Sequence, residues 1–319
     1  MRALICGIGG QDGGYLAKLL LDKGYEVYGT SRDIYLMSGR GLQFLGIADQ
    51  VKLCSMAIND FRSVLSVLAN VKPDEVYNLA GQSSVGLSFE QPVETMESIA
   101  VGTLNLLEAI RFVNPAIRFY NASSSECFGD TGGELADENT AFRPRSPYAV
   151  AKSTAFWQVA NYRDAYKLHA SSGILFNHES PMRPERFVTR KIIAAACRIS
   201  KGSKEKLILG DIDIQRDWGW APDYVEAMWL MTQQPHGGDY VVATGRTVAL
   251  AYFVERAFIE LNLDWKEHVE SDPRLFRPSE IRVSRGNTAH IRSTLGWRHR
   301  MEIEDVIREM VKHDYNHNK

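Results

Sequence analysis

The chain of 319 residues is 45% hydrophobic and 24% charged, an ordinary globular composition with length enough for one large core or two packed domains. A net charge of −2 excludes a general attraction to nucleic acid or to an anionic membrane, so a phosphate-bearing ligand must be held by locally placed Arg and Lys. The four cysteines, Cys6, Cys54, Cys127 and Cys197, show neither a Cys-x-x-Cys pair nor metal-ligand spacing, which reads as reduced thiols in a cytoplasmic protein with no metal site.

Met1 to Cys6 is a short apolar run of the kind a buried parallel strand shows, and Arg2 leads into it without a secretory leader. No apolar run reaches the roughly 18 residues of a membrane span. Gly7, Gly10 and Gly13 follow at three-residue spacing, with Gln11 and Asp12 between them, and Leu16, Leu19, Leu20 and Leu21 then fit a helix. Glycines in a strand-to-helix turn let the backbone approach a pyrophosphate, which the positive helix end receives. Strand, glycines and helix in this order meet the context a dinucleotide site requires. The second strand, Tyr25 to Gly29, runs into Ser31, Arg32 and Asp33. An acidic residue here grips a ribose 2′-hydroxyl and an Arg the 2′-phosphate, so Arg32 leans the expectation to NADP, with NAD as the alternative.

Further strands are expected at Val51 to Cys54, Glu75 to Ala80, Ile117 to Ala122 and Ala170 to Phe176. Helices are expected at Phe61 to Ala69, at Val93 to Phe112 with Ile99, Leu104, Leu107 and Ile110 inward, and at Pro147 to Tyr166. This alternation predicts an α/β fold, a doubly wound parallel (Rossmann) sheet. Ligands of such sheets bind beyond the carboxyl ends of the strands. Gly7 to Gly13, Asn78 to Gly81, Ser123 to Glu126 and Asn177 to Arg183 all fall at strand ends. After Asn177 the alternation fades, and a smaller, irregular C-terminal α/β substrate domain is expected. The cofactor domain would span 1–177 with returning segments at about 221–245, and the substrate domain 178–220 and 246–319. Arg183, Arg186, Arg190, Lys191, Arg216, Arg277, Arg282 and Arg285 fall in or beside that second part; two or three of them are expected on a diphosphate, which Arg grips in bidentate fashion.

Tyr148 and Lys152 are four apart, on one face of the expected helix, with Ser124, Ser125 and Glu126 upstream. A tyrosine phenol, ordinarily near 10 in pKa, is a poor base until a neighbouring positive charge favours the phenolate. A Tyr/Lys pair beside a nicotinamide can then take an alcohol proton as a hydride leaves the same carbon. Cys127, next to this triplet, reads as a small apolar filler rather than a nucleophile.

Together, the glycine run, Asn78-Leu79-Ala80, Ser123 to Glu126 and Tyr148-x-x-x-Lys152 resemble the extended short-chain dehydrogenase/reductase family. More closely, the chain is similar to its GDP-mannose 4,6-dehydratase branch. Gly10 to Gly13, Gln82 to Gly86, Ser171 to Pro181, Phe187 to Lys191, Arg216 to Gly219, Asp223 to Leu230 and Phe276 to Pro278 carry that likeness across nearly the whole length. The resemblance implies a lyase of nucleotide-sugar metabolism that makes GDP-4-keto-6-deoxymannose with NADP and works as a homodimer or homotetramer. It implies catalytic roles for Ser124, Glu126, Tyr148 and Lys152, with Glu126 as the base at sugar C5. It places Gly7, Gly10, Gln11, Asp12, Gly13, Arg32, Asn78, Leu79, Ala80, Gln82, Tyr148 and Lys152 on the cofactor. Ser83, Ser125, Asn177, Val188, Lys191, Arg216, Arg277 and Glu280 would hold the GDP-sugar. Three stretches depart from the branch. Met56-Ala57-Ile58 stands where relatives carry an acid that reads adenine. Ser31-Arg32-Asp33 shortens an Arg-Arg-Ser-Ser segment that in tetrameric relatives reaches a neighbour's cofactor site. Trp220 and Pro222 are atypical, which keeps open a dehydratase of a larger GDP-manno sugar such as a heptose, or an NADPH-dependent 4-keto-sugar reductase.

Overall fold

A computed structural model describes residues 1–276 and 279–317. Arg277, expected on the substrate, lies outside the described residues. The first half alternates as β1 (Arg2–Cys6), α1 (Gln11–Asp22), β2 (Glu26–Ser31), α2 (Arg40–Phe44), β3 (Lys52–Ser55), α3 (Phe61–Val71), β4 (Glu75–Asn78), α4 (Val85–Glu90), α5 (Pro92–Met96), α6 (Gly102–Val113), β5 (Arg118–Ser124), α7 (Pro147–Tyr166) and β6 (Ala170–Leu175). The second half runs β7 (Asn177–Glu179), α8 (Val188–Ser200), β8 (Leu207–Leu209), β9 (Gln215–Trp220), α9 (Ala221–Thr232), β10 (Asp239–Val242), β11 (Thr247–Ala249), α10 (Leu250–Ile259), β12 (Val269–Ser271), α11 (Ala289–Leu295) and α12 (Ile303–His317).

Seven strands form one parallel sheet in the order β10-β6-β5-β4-β1-β2-β3. The strand order reverses between β1 and β4, which opens a crevice at their carboxyl ends. Leu16, Leu20, Tyr77, Tyr120, Tyr224 and Met228 fill one face of the sheet under α1 and α9. Leu4, Val64, Leu68, Val76, Leu106, Ile110, Phe119 and Val159 fill the other face under α3, α6 and α7. A further core joins α8, α10 and α12 through Ile192, Ile193, Phe253, Phe258, Val306 and Met310, beside the small sheet β11-β9-β7. Tyr240 to Ala243, expected to return to the large sheet, supplies its edge as β10. No described helix is long and apolar enough to cross a membrane.

Helix α7 starts where the sequence predicts, because Ser146 caps it by accepting from Ala149 N at 3.1 Å and Pro147 follows at the first turn. The single helix expected from Val93 to Phe112 is instead interrupted. A π-turn at Glu97–Val101 separates α5 from α6. Leu104, expected inward, lies at the surface, while Leu106 is buried with Ile99, Leu107 and Ile110.

Arg190, one of the arginines read as a diphosphate candidate, has a different role. Its guanidinium pairs with the Asp314 carboxylate and joins α8 to α12, with only 9% and 1% of the two side chains exposed. Breaking one partner of a buried pair strands the other charge in the interior. Asp314→Ala should lower the folding stability by roughly 3–5 kcal/mol; an unchanged urea midpoint would show that the pair does not join the two helices.

Candidate active site

The cofactor candidates Gly7, Gly10, Gln11, Asp12, Gly13, Arg32, Leu79, Ala80 and Gln82 line one cleft of about 460 Å³ at the β1/β4 crevice, and the substrate candidate Ser83 faces it too. Gly7 turns the chain at φ +89°, and a side chain there would meet the Leu79 carbonyl oxygen at 2.8 Å. A side chain at Gly13 would sit 2.4 Å from the Gly7 oxygen, so the first turn of α1 packs directly on the loop. Gly10 caps α1 without a side chain. The N–H groups of the first turn, which no helix satisfies internally, are thus left at the cleft. This arrangement fits a dinucleotide pyrophosphate.

Asn78 lies beneath the cleft rather than in its wall, and its amide donates to Thr103 Oγ1 at 3.0 Å and Asn121 Oδ1 at 3.1 Å. Gln82 folds its loop onto the start of α4 by donating to the Ser84 carbonyl at 2.8 Å. Met56 and Ile58 line the cleft where relatives were expected to present an acid.

Sequence reasoning did not single out one residue that fixes the glycine loop of the cleft. His178, on β7, donates from Nδ1 to the Phe176 carbonyl at 2.7 Å and from Nε2 to Asp12 Oδ2 at 2.9 Å. With Asp12 ionised, both contacts call for a ring N–H, an arrangement that favours the cationic imidazole. Gln11 ties the same loop to β7, donating to the His178 carbonyl at 3.1 Å and accepting from Ser180 Oγ at 2.7 Å. Burial alone drives the His178 pKa down, but the Asp12 charge and hydrogen bond outweigh it and leave it raised. Burial pushes the Asp12 carboxyl up, and His178, Gln11 and Arg183 outweigh that and hold it low. Arg183, one of the arginines read as diphosphate candidates, lines the cleft and sends its charge toward both Asp12 and Tyr148. Asp12 and His178 are 166 positions apart, so no local spacing could have paired them.

The catalytic candidates meet beside this cleft. β5 ends at Ser124, whose hydroxyl caps the turn Ser125–Phe128 by accepting from Glu126 N at 3.3 Å. Ser125 is buried in that turn. Tyr148 and Lys152 are buried on the inner face of α7. Lys152 was expected to hold the phenol pKa down through its charge. Its ammonium donates to the Ala122 carbonyl at 2.7 Å and stands 5.8 Å from the phenol ring centre. Burial pushes the phenol up, Ser124 and Arg183 oppose it, and the charges of Cys127 and Glu126 add to the rise. Burial brings Lys152 down to about 8, so it is still cationic at neutral pH. The buried Cys127 thiol is pushed up by its surroundings, as suits a filler.

The substrate candidates come from the small sheet and α8. Arg216, on β9, pairs with Glu280 at 2.9 Å, and Asn177 begins β7 next to it in register with Trp218. Phe187 closes the cleft wall and caps α8, so Val188 is the first residue of that helix. Lys191, one turn on, donates to the Ile208 carbonyl at 2.7 Å. Trp220 packs against the α8/α10/α12 core and Pro222 lies in the first turn of α9. The remaining arginines are scattered: Arg186 lines the cleft, and Arg285 donates to the Gly133 carbonyl at 3.1 Å.

The parallel sheet, its glycine loop and the Ser/Tyr/Lys set define an extended short-chain dehydrogenase/reductase. Residues 4–310 match the family model described as GDP-mannose 4,6 dehydratase. The chain is 47% identical to GDP-mannose 4,6 dehydratase 1 of Arabidopsis thaliana, over 98% of this chain and 89% of that protein. It is 44% identical to the GDP-mannose 4,6-dehydratase of Sinorhizobium fredii, over 99% of this chain and 97% of that one. Among solved structures it is similar to a Thermus thermophilus UDP-glucose 4-epimerase in complex with NAD, with a TM-score of 0.87, 26% identity and coverage of 99% and 100% of the two chains. The chain belongs to the GDP-mannose 4,6-dehydratase family.

The Asp12–His178 pair has a pH signature. A raised His contributes stability that is complete below its unfolded pKa of about 6.5 and is lost as pH climbs through the folded value. A depressed Asp contributes stability present above about 3.9 and lost as pH falls through its folded value. His178→Gln should therefore cost most stability between about pH 4 and 6.5, and less as the pH rises toward 9. A cost that stays constant from pH 6 to 9 would mean that the imidazole is neutral in the folded protein.

Proposed function

We propose that this chain is an NADP-dependent GDP-mannose 4,6-dehydratase, a hydro-lyase that forms GDP-4-keto-6-deoxymannose and water with no net oxidation or reduction. The observation that carries this is the position of Glu126, in the turn capped by Ser124 and close enough for its charge to act on the Tyr148 phenol. A reductase or epimerase needs no carboxylate there, whereas elimination of water from a sugar needs a base at C5.

A bound nicotinamide supplies hydride acceptance from C4 and return at C6, together with a positive charge beside the phenol. Tyr148 removes the proton of the sugar 4-hydroxyl. Ser124 hydrogen-bonds the phenol oxygen, and the Lys152 ammonium and Arg183 guanidinium add positive charge nearby. The 4-ketone makes the C5 proton acidic. Glu126 takes it and passes it to the departing 6-hydroxyl, which leaves as water; once the hydride is back on the sugar at C6, the proton taken from the 4-hydroxyl is returned at C5. Steps of this kind are each worth roughly 10²–10⁴-fold.

The cofactor is a nicotinamide dinucleotide on the cleft residues from Gly7 to Gly13 and from Leu79 to Gln82, above Asn78. Arg32 is read as the ligand of a 2′-phosphate, which favours NADP over NAD. Ser83 and Ser125 are assigned to the sugar; Asn177, Val188, Lys191, Arg216, Arg277 and Glu280 are assigned to GDP. Residues 1–177 with 221–245 are read as the cofactor domain, and 178–220 with 246–319 as the substrate domain. Val101, Leu104 and Phe112 on the π-turn and α6, with Val150 and Trp157 on α7, leave an exposed apolar face that we read as the contact of a homodimer. A tetramer would need a second contact. A cytoplasmic location is read from the four free cysteines.

Mass spectrometry of GDP-mannose incubated with the protein should find a product lighter by one water, with the cofactor's redox state unchanged at the end of turnover. Glu126→Gln should lower dehydration at least roughly 10²-fold while leaving GDP and cofactor affinity within a few-fold. Near-wild-type turnover by this variant would remove Glu126 as the base. Tyr148→Phe should suppress the first oxidation by a similar factor, and normal formation of reduced cofactor on mixing with sugar nucleotide would refute its role.

A further inference from the structure

The mouth of the cleft carries two opposite charges from different elements. Arg32 follows β2 directly, and its Nη2 lies 2.8 Å from Oε1 of Glu94 in the first turn of α5. Both line the cleft. Asp33, the acid that the sequence places at the end of β2, is turned elsewhere: its Oδ1 accepts from Tyr35 N at 2.8 Å, closing its own turn. The other acid in the cleft wall, Asp12, is committed to His178. Glu94 is thus the carboxylate that faces Arg32 among the described lining residues.

We propose that Glu94 is a specificity-determining residue that restrains the enzyme's preference for NADP over NAD. This rests on the reading above, in which Arg32 meets the 2′ position of the adenosine ribose. The pair is open to water, with 70% of the Arg32 and 40% of the Glu94 side chain exposed, so it is weak and readily exchanged. A 2′-phosphate brings a charge of about −1.5 to −2 and displaces Glu94 from Arg32. The displaced carboxylate is then a like charge held close to the phosphate. The helix holds it there, because an acid in a first turn is favoured by the positive helix end. A 2′-hydroxyl has the opposite effect, since it can donate to the Glu94 carboxylate while Arg32 keeps its partner. One residue thereby disfavours the phosphate and favours the hydroxyl.

Calorimetric titration of NADP⁺ and NAD⁺ into cofactor-stripped protein tests this without reference to turnover. Glu94→Gln keeps the shape and removes the charge. It should tighten NADP⁺ about five- to tenfold at low salt, the effect of one like charge at a few ångströms, and should weaken or leave unchanged NAD⁺. The gain should shrink as salt is raised. A ratio of the two affinities that is unchanged or falls in Glu94→Gln would overturn the proposal. Arg32→Ala separates it from its foundation: it should weaken NADP⁺ at least about tenfold and leave NAD⁺ nearly unaffected. If Arg32→Ala leaves NADP⁺ binding intact, the placement of the 2′ group at Arg32 is wrong whatever Glu94 does. Both side chains are at the surface, and matching thermal unfolding of the variants would show that binding changes do not come from misfolding.

Discussion

The glycine loop can face a dinucleotide only because a distant strand holds it in place. The first turn of α1 packs so closely on Gly7 that the loop has no freedom of its own. The opposite side of that turn is fixed by Gln11 and Asp12, which bind the β7 segment through the His178 carbonyl, the Ser180 hydroxyl and the His178 imidazolium. Tyr224 of α9 stacks on the same imidazole at 4.4 Å. One cluster therefore joins the first loop, the seventh strand and the ninth helix. Because Arg183 follows β7 by a few residues, the cluster also sets where that guanidinium stands relative to the phenol.

That placement bears on the chemistry. A phenol buried on the inner face of α7 is harder to ionise than one in water, since desolvation disfavours the charged form. The same burial excludes the solvent that would screen its neighbours, so Ser124, Arg183 and a cationic ring alongside act at close to full strength. Lys152 is held by the Ala122 carbonyl near the end of β5, with its ammonium 5.8 Å from the centre of the phenol ring.

Local signals explain what could be read in the chain. Ser146 and Pro147 are start signals that act within one turn, so α7 was legible to the residue. The glycines, the apolar strands and the strand-end segments were legible because parallel strands buried on both faces leave continuous apolar runs. The π-turn left no such mark. Within it Ile99 is set against Gly81 and Ser98 is turned to the cleft, contacts between segments distant along the chain. The Asp12–His178 pair was invisible for a related reason: each partner is an ordinary loop or strand residue until the fold brings them together. The arginines show the limit of composition. Counted along the chain, Arg183, Arg186, Arg190 and Lys191 form one basic cluster. In space two line the cleft, one is neutralised between α8 and α12, and one holds a backbone carbonyl.

That division follows from where the cleft wall ends. Phe187 closes the wall and caps α8 in the same step, and the Arg183 guanidinium lies 3.8 Å from its ring centre. Residues before this point face the cofactor side, and residues after it ride on a helix whose buried face belongs to the α8/α10/α12 core. A shift of that core would therefore move Phe187 and Arg183 together, one at the cleft wall and the other within reach of the phenol. The five-residue segment 183–187 thus belongs both to the cleft wall and to the start of the helix that packs in the α8/α10/α12 core.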